Sequence, residues 1–259
     1  MQKTYHNPLR DIKEDEPIFS VPAYQIQKVF APYAQSMDWG IRMLGIPNFW
    51  RYTKGAGINV AVLDTGVDTR HRDLMANVKA AKDFTGSKVG VHDVSGHGTH
   101  CAGIIAARDN SFGVVGVSPQ ANLFIGKVLD DDGFGSERTI VDGINWAIRK
   151  KANIISMSFG SPYPSTEILH AIRTAIEQNI IVICAAGNEG PYMDSVGYPA
   201  QFDEVIAVGA VDSQLKVTDF SSRGNAVDIV APGNNILSTY PPNGTAVLSC
   251  TSMAPVLTL

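Results

Sequence analysis

Residues 154–188 read IISMSFGSPYPSTEILHAIRTAIEQNIIVICAAGN, and the change of hydrophobic period within them decides the fold. Ile154 to Met157 and Ile180 to Ala185 are short apolar runs rich in branched side chains, the pattern of strands buried on both faces. Between them, from Ser165 to Asn179, Ile168, Leu169, Ile172, Ala175 and Ile176 recur at helical spacing on one face, and Asn179 suits the carboxyl-terminal cap. Strand and helix alternate, which predicts parallel strands with helices packed on them.

The same texture continues on either side. Ile58 to Leu63, Val205 to Val208 and Val227 to Val230 predict further strands. Ser136 to Lys151 predicts a second helix: Ser136 caps its amino end, Ile140, Ile144, Ala147 and Ile148 share a face, and Arg149, Lys150 and Lys151 meet the negative end of its dipole. The fold expected is α/β, a three-layer parallel sheet with helices on both faces. Ligands of such sheets bind beyond the carboxyl ends of the strands.

Composition narrows the function. The 259 residues are 44% apolar and 18% charged with a net charge of -4, which excludes a disordered tail and a basic nucleic-acid binder. The longest apolar run, Ile180 to Ala186, falls far short of the ~20 residues of a membrane helix. Met1 to Glu16 lacks the apolar stretch of a secretory signal, so the chain is expected in the cytoplasm, away from membranes and nucleic acid. Cys101, Cys184 and Cys250 are too few and too spread for a disulfide scaffold or a zinc cluster and read as reduced thiols. Residues 1–33, with Pro8, Pro17, Pro22 and Pro32 and no sustained periodicity, predict an extension distinct from a folded domain over 34–259.

Four segments carry chemistry. Val60 to Gly66 is a buried strand ending on Asp64 at the edge where α/β sites form. The tripeptide Asp64-Thr65-Gly66 also occurs in aspartic proteases, but those need two such carboxylates and one is present. Gly96 to Gly103 sets His97 in the first turn of a closely packed helix. His97 and His100 have the spacing of metal ligands, yet no third ligand follows at zincin spacing. Cys250 to Pro255 holds Ser252, and Ala185 to Gly190 delivers Asn188 from a strand. Taken singly, each of these residues also reads as a cap, a turn or a satisfied core residue.

Together, Asp64-Thr65-Gly66, His97-Gly98-Thr99-His100, Gly187-Asn188 and Thr251-Ser252-Met253-Ala254, in that order, resemble the subtilisin family of serine proteases over roughly residues 34 to 255. The resemblance implies a serine endopeptidase acting on polypeptides. Ser252 would be the nucleophile, His97 its general base and then acid, Asp64 the orienting carboxylate and Asn188 the oxyanion donor. It also implies that Ser158, Phe159, Gly160, Ala185, Ala186 and Gly187 wall the main specificity pocket, with Gly197 as its floor. Gly133, Phe134 and Gly135 would pair with the substrate backbone as an added strand. Small residues there imply broad specificity with a large apolar side chain before the scissile bond, and Asp130, Asp131 and Asp132 beside the groove would favour basic residues further out. Calcium is the implied ion, held by Gln35, Asp73, Asn110 and the carbonyls of Arg108, Phe112 and Val114, a hard oxygen set. Cys101 resembles the cysteine beneath the histidine in thiol-sensitive members.

The sequence also departs from the family. Cys250 stands where the family has glycine, Pro255 follows Ala254 directly, and seven residues follow Ser252. That is too few for the family's long central helix. The fold is therefore expected to lack its C-terminal part and to leave apolar surface bare, and the alternative function is a truncated or degenerate homologue that binds peptides without efficient cleavage. The extension is similar in arrangement to that of intracellular subtilisins, which lies across the cleft as an inhibitor. Val21-Pro22-Ala23-Tyr24 is the nearest match to their proline-bearing blocking motif.

Overall fold

A computed structural model describes residues 17–31 and 34–258. In chain order its strands are β1 (Ile18–Ser20), β2 (Gln25–Phe30), β3 (Ser36–Met37), β4 (Asn59–Asp64), β5 (Val78–Asp83), β6 (Val114–Val115), β7 (Asn122–Lys127), β8 (Phe134–Ser136), β9 (Ile154–Met157), β10 (Ile181–Ala185), β11 (Ile206–Val211), β12 (Ile229–Pro232), β13 (Ile236–Tyr240) and β14 (Gly244–Ser249). Its α-helices are α1 (Trp39–Met43), α2 (His97–Ala106), α3 (Glu137–Arg149) and α4 (Thr166–Glu177).

Seven strands form one parallel sheet in the order β12-β11-β10-β9-β4-β7-β5. Successive side chains of a strand point to opposite faces, and β4 splits its core accordingly. Val60 and Val62 pack with Cys101 and Ile105 of α2. Ala61 and Leu63 pack with Ile140 and Ile144 of α3 and with Ile168 and Ile172 of α4. These are the three layers the sequence predicts.

The helix starts follow from their caps. The Ser136 hydroxyl accepts from Thr139 N, and that of Ser165 from Ile168 N. Asn179 takes a positive φ just beyond α4, as its place in the sequence suggested. All ten residues of α2 are buried, and it begins at Gly96 in the left-handed region, where a Cβ would overlap the Tyr240 ring.

One region differs from expectation. The extension is not separate from the core: β1 pairs antiparallel with β8, β2 with β14, and Phe19 is wholly buried. An extended segment of this kind gains its hydrogen bonds from another part of the chain, so no local period announces it. After Ser252 the chain forms two 3-10 turns, Thr251–Met253 and Pro255–Leu257. Met253, Val256 and Leu257 are buried with α2, while Ile181, Ile206, Ile229 and Val230 at the amino ends of β10, β11 and β12 stay exposed.

Candidate active site

β4 delivers Asp64 to the carboxyl edge of the sheet, and His97, the first residue of α2, meets it there. His97 Nδ1 lies 2.7 Å from Asp64 Oδ1, which also accepts from Thr65 N, and both side chains are fully buried. Asp93 fixes the approach to α2 by accepting from Thr65 Oγ1, Gly96 N, Thr99 N and Thr99 Oγ1. Burial, the largest single influence, disfavours the imidazolium, but the Asp64 carboxylate and the Cys101 sulfur together hold His97 well above its ordinary pKa. His97 Nε2 is buried and has no hydrogen-bond partner among the described residues.

His100 points elsewhere. Its Nε2 lies against the carbonyls of Ile236 and Ala246, and burial lowers its pKa to about 3. The metal pair weighed from sequence is therefore not assembled. Cys101 does lie beside His97, its sulfur 4.0 Å from Nδ1, with burial pushing the thiol up to about 11.

Ser252 follows β14 by way of Cys250 and Thr251. Its hydroxyl donates to Ser158 O at 3.1 Å and accepts from the Cys250 thiol at 3.1 Å, so it does not reach His97 in this arrangement. Cys250 Sγ accepts from Asn188 Nδ2 at 3.1 Å and from Ser252 N at 3.4 Å. Asn188 is held in turn by Thr251, whose N and Oγ1 donate to Asn188 Oδ1 at 3.0 and 2.8 Å. Two N–H donors thus converge on one buried point, and sulfur sits there.

The residues expected to line a substrate groove lie together, and an extended segment of this same chain runs among them. Ser20 and Gly160 exchange both backbone hydrogen bonds, and Val21 N donates to Gly133 O. Phe19, opposite Gly135, is packed edge-on against Phe159. Gly160, Ala185, Ala186, Gly187 and Gly197 line a cavity of about 400 Å³ whose wall also includes Pro22 and Glu189. Beyond it, Asn188 Nδ2 donates to Ala23 O at 2.7 Å, and the Tyr24 ring lies 5.3 Å from that of His97. Sequence reasoning named Val21 to Tyr24 but missed Phe19, whose only signal was an aromatic residue in a short apolar stretch. Residues 1–16, 32 and 33 of the extension lie outside the described residues.

The acidic loop is largely engaged. Asp130 Oδ1 accepts from Asp132 N and Phe134 N, and Asp131 pairs with buried Lys127 at 2.9 Å.

The residues expected around calcium also converge. Gln35 Nε2 donates to the carbonyls of Arg108 at 2.8 Å and Val114 at 3.5 Å. Asp73, fully buried, accepts from Asn110 Nδ2 and Val114 N, and Phe112 N donates to Asn110 Oδ1. Burial raises the Asp73 carboxyl above its ordinary pKa.

Comparison with known proteins bears on this arrangement. Residues 55–256 match the subtilase family. The chain is 42% identical to an intracellular serine protease of Paenibacillus polymyxa, over 98% of this chain and 75% of that protein. It is 44% identical to the major intracellular serine protease of Bacillus subtilis (strain 168), over 83% of this chain and 70% of the relative. With subtilisin BL of Lederbergia lenta it shares 43% identity over 85% of this chain and 81% of the other.

Proposed function

The chain belongs to the subtilase family and is a serine endopeptidase by class, and on that footing we propose that it cuts polypeptides through Ser252, His97, Asp64 and Asn188. The observation that carries this reading is the buried Asp64–His97 pair at 2.7 Å with Nε2 left free. With Nδ1–H directed at Asp64, Nε2 is the nitrogen able to take a proton. Ser252 needs to turn from Ser158 O toward it. As its Oγ–C bond forms, the hydroxyl proton passes to Nε2 and the carbonyl electron pair moves onto oxygen, facing Asn188 Nδ2 and Ser252 N–H. Collapse breaks the C–N bond, and His97 returns the proton to the leaving amine. Water then repeats the sequence on the acyl-enzyme.

The cavity of about 400 Å³ beside Ala185, Gly187 and Gly197 supports a large apolar side chain before the scissile bond. The segment Phe19 to Tyr24 acts as an intramolecular inhibitor. It takes both hydrogen bonds of Gly160, fills the groove with Phe19, and sets Pro22, which has no N–H, at the cavity. Gln35, Asp73, Asn110 and the carbonyls of Arg108, Phe112 and Val114 would hold Ca²⁺. A buried carboxylate among side-chain amides and backbone carbonyls fits such an ion, whose role would be to brace this loop. Relatives named intracellular support a cytoplasmic site of action, and among the described residues no helix is long and apolar enough to cross a membrane.

The test is covalent labelling with a fluorophosphonate. An adduct on Ser252, absent in Ser252→Ala, is the expected result; a folded sample that takes no label would refute the nucleophile assignment.

A further inference from the structure

We propose that Cys250 is a covalent modification site for small soft electrophiles, its sulfur seated on the two N–H donors meant for the oxyanion. The proposal rests on the reading of Asn188 and Ser252 N as those donors. Three polar contacts hold the sulfur: Asn188 Nδ2 and Ser252 N donate to it, and the Ser252 hydroxyl lies 3.1 Å away. Such donors stabilise a thiolate for the same reason that they stabilise an oxyanion.

A second, independent feature is the free nitrogen of His97. Nδ1 is committed to Asp64, and the ring turns its buried, unpartnered Nε2 away from that carboxylate, leaving it to receive a proton beside the thiol. Burial opposes the Cys250 anion, while His97 and the Ser252 contacts favour it and bring the thiol below its ordinary range. The other titratable groups around this pair are Asp64 and Cys101, next to His97, with Tyr24 and Tyr240 across the ring. Cys101 and Cys184 lack the two donors, and burial raises both. Thiolate character and access together set apart a reactive cysteine; Cys250 is fully buried where Asn188 Nδ2 also donates to Ala23 O, so a small electrophile reaches it as the segment from Phe19 to Tyr24 lifts from the groove.

With iodoacetamide the step balances. The S–C bond forms as the C–I bond breaks, iodide leaves with the electron pair, and the thiol proton goes to His97 Nε2 and then to solvent. The carboxamidomethyl group then fills the site that a substrate carbonyl must enter.

The experiment treats the full chain with iodoacetamide between pH 6 and 9 and locates adducts by peptide mass. The expected result is alkylation at Cys250 at least tenfold faster than at Cys101 or Cys184. Its rate should reach a plateau with a midpoint below the ~8.5 of a free thiol, and Cys250→Ser should remove the fast adduct. Label appearing first on Cys101 or Cys184, a midpoint at or above that of a free thiol, or no adduct on the folded chain would each overturn the proposal. Because the readout is mass and not cleavage, alkylation of Cys250 in one sample, with no fluorophosphonate label on Ser252 in a second sample never exposed to iodoacetamide, would reject the protease reading alone.

Discussion

The sulfur of Cys250 lies 3.1 Å from the hydroxyl oxygen of Ser252, while His97 Nε2 makes no hydrogen bond to that hydroxyl. A residue without a side chain there would release Asn188 Nδ2 and Ser252 N for a carbonyl oxygen. Each neutral hydrogen bond so freed is worth about 1 kcal/mol. Cys250→Gly is expected to raise kcat/KM for a chromogenic peptide about tenfold; an unchanged or lower value in a folded variant would count against the sulfur as an obstacle.

Asn188 supplies an amide whose oxygen is pinned by Thr251, so its nitrogen is already aimed. Asn188→Ala should lower kcat by ~10²-fold, about 3 kcal/mol, and leave KM nearly unchanged. A loss confined to KM would mean the amide only binds.

Phe19 is the anchor of the segment that fills the groove, fully buried against Phe159. Truncating a buried phenylalanine costs ~3 to 5 kcal/mol. Phe19→Ala is therefore expected to loosen that segment and raise the initial rate of peptide hydrolysis, with a fall in Tm. An added peptide spanning residues 17–24 should restore inhibition. Equal initial rates in the two chains would argue that the segment does not block access.

His97 carries its raised pKa because Asp64 and Cys101 together overcome the cost of burial. The imidazolium form is stabilised in the folded state, so its contribution to stability is full below the ordinary 6.5 and is lost as pH rises through the raised value. Catalysis runs the other way, since only the neutral ring accepts a proton. The kcat/KM profile should climb with a midpoint above 6.5, and a midpoint at or below that value would contradict the pairing.

Calcium should raise Tm, by the equivalent of ~2.7 kcal/mol at a hundredfold excess over Kd, and Asp73→Asn should abolish the shift. The effect should shrink in acid, because the raised Asp73 carboxyl takes a proton in place of the metal. A thermal scan indifferent to calcium at neutral pH would remove the ion from this account.

The sheet was legible because its strands bury both faces and so declare themselves as runs such as Ile154 to Met157, a strand with those same ends. Asp64 and His97 were legible because each sits where a strand ends or a helix begins, and both ends are marked by glycine. Two things were hidden. The partner of Ile18–Ser20 is more than a hundred residues away in β8, and nothing in the extension encodes it. Position 250 could be read as a departure, but where its sulfur points depends on the meeting of Asn188 and Ser252 in space, which no local pattern reports.

The ladder between β2 and β14 ends at Gln25 and Ser249, one residue before Cys250. Thus the strand that leaves the groove continues as a splint on the strand that leads to Ser252. Severing the chain ahead of Gln25 would open the groove and keep the splint in place. Stripping it back beyond Phe30 would take away the neighbour that braces β14 just ahead of Ser252, so baring the groove and unseating that strand are separated by only a few peptide bonds.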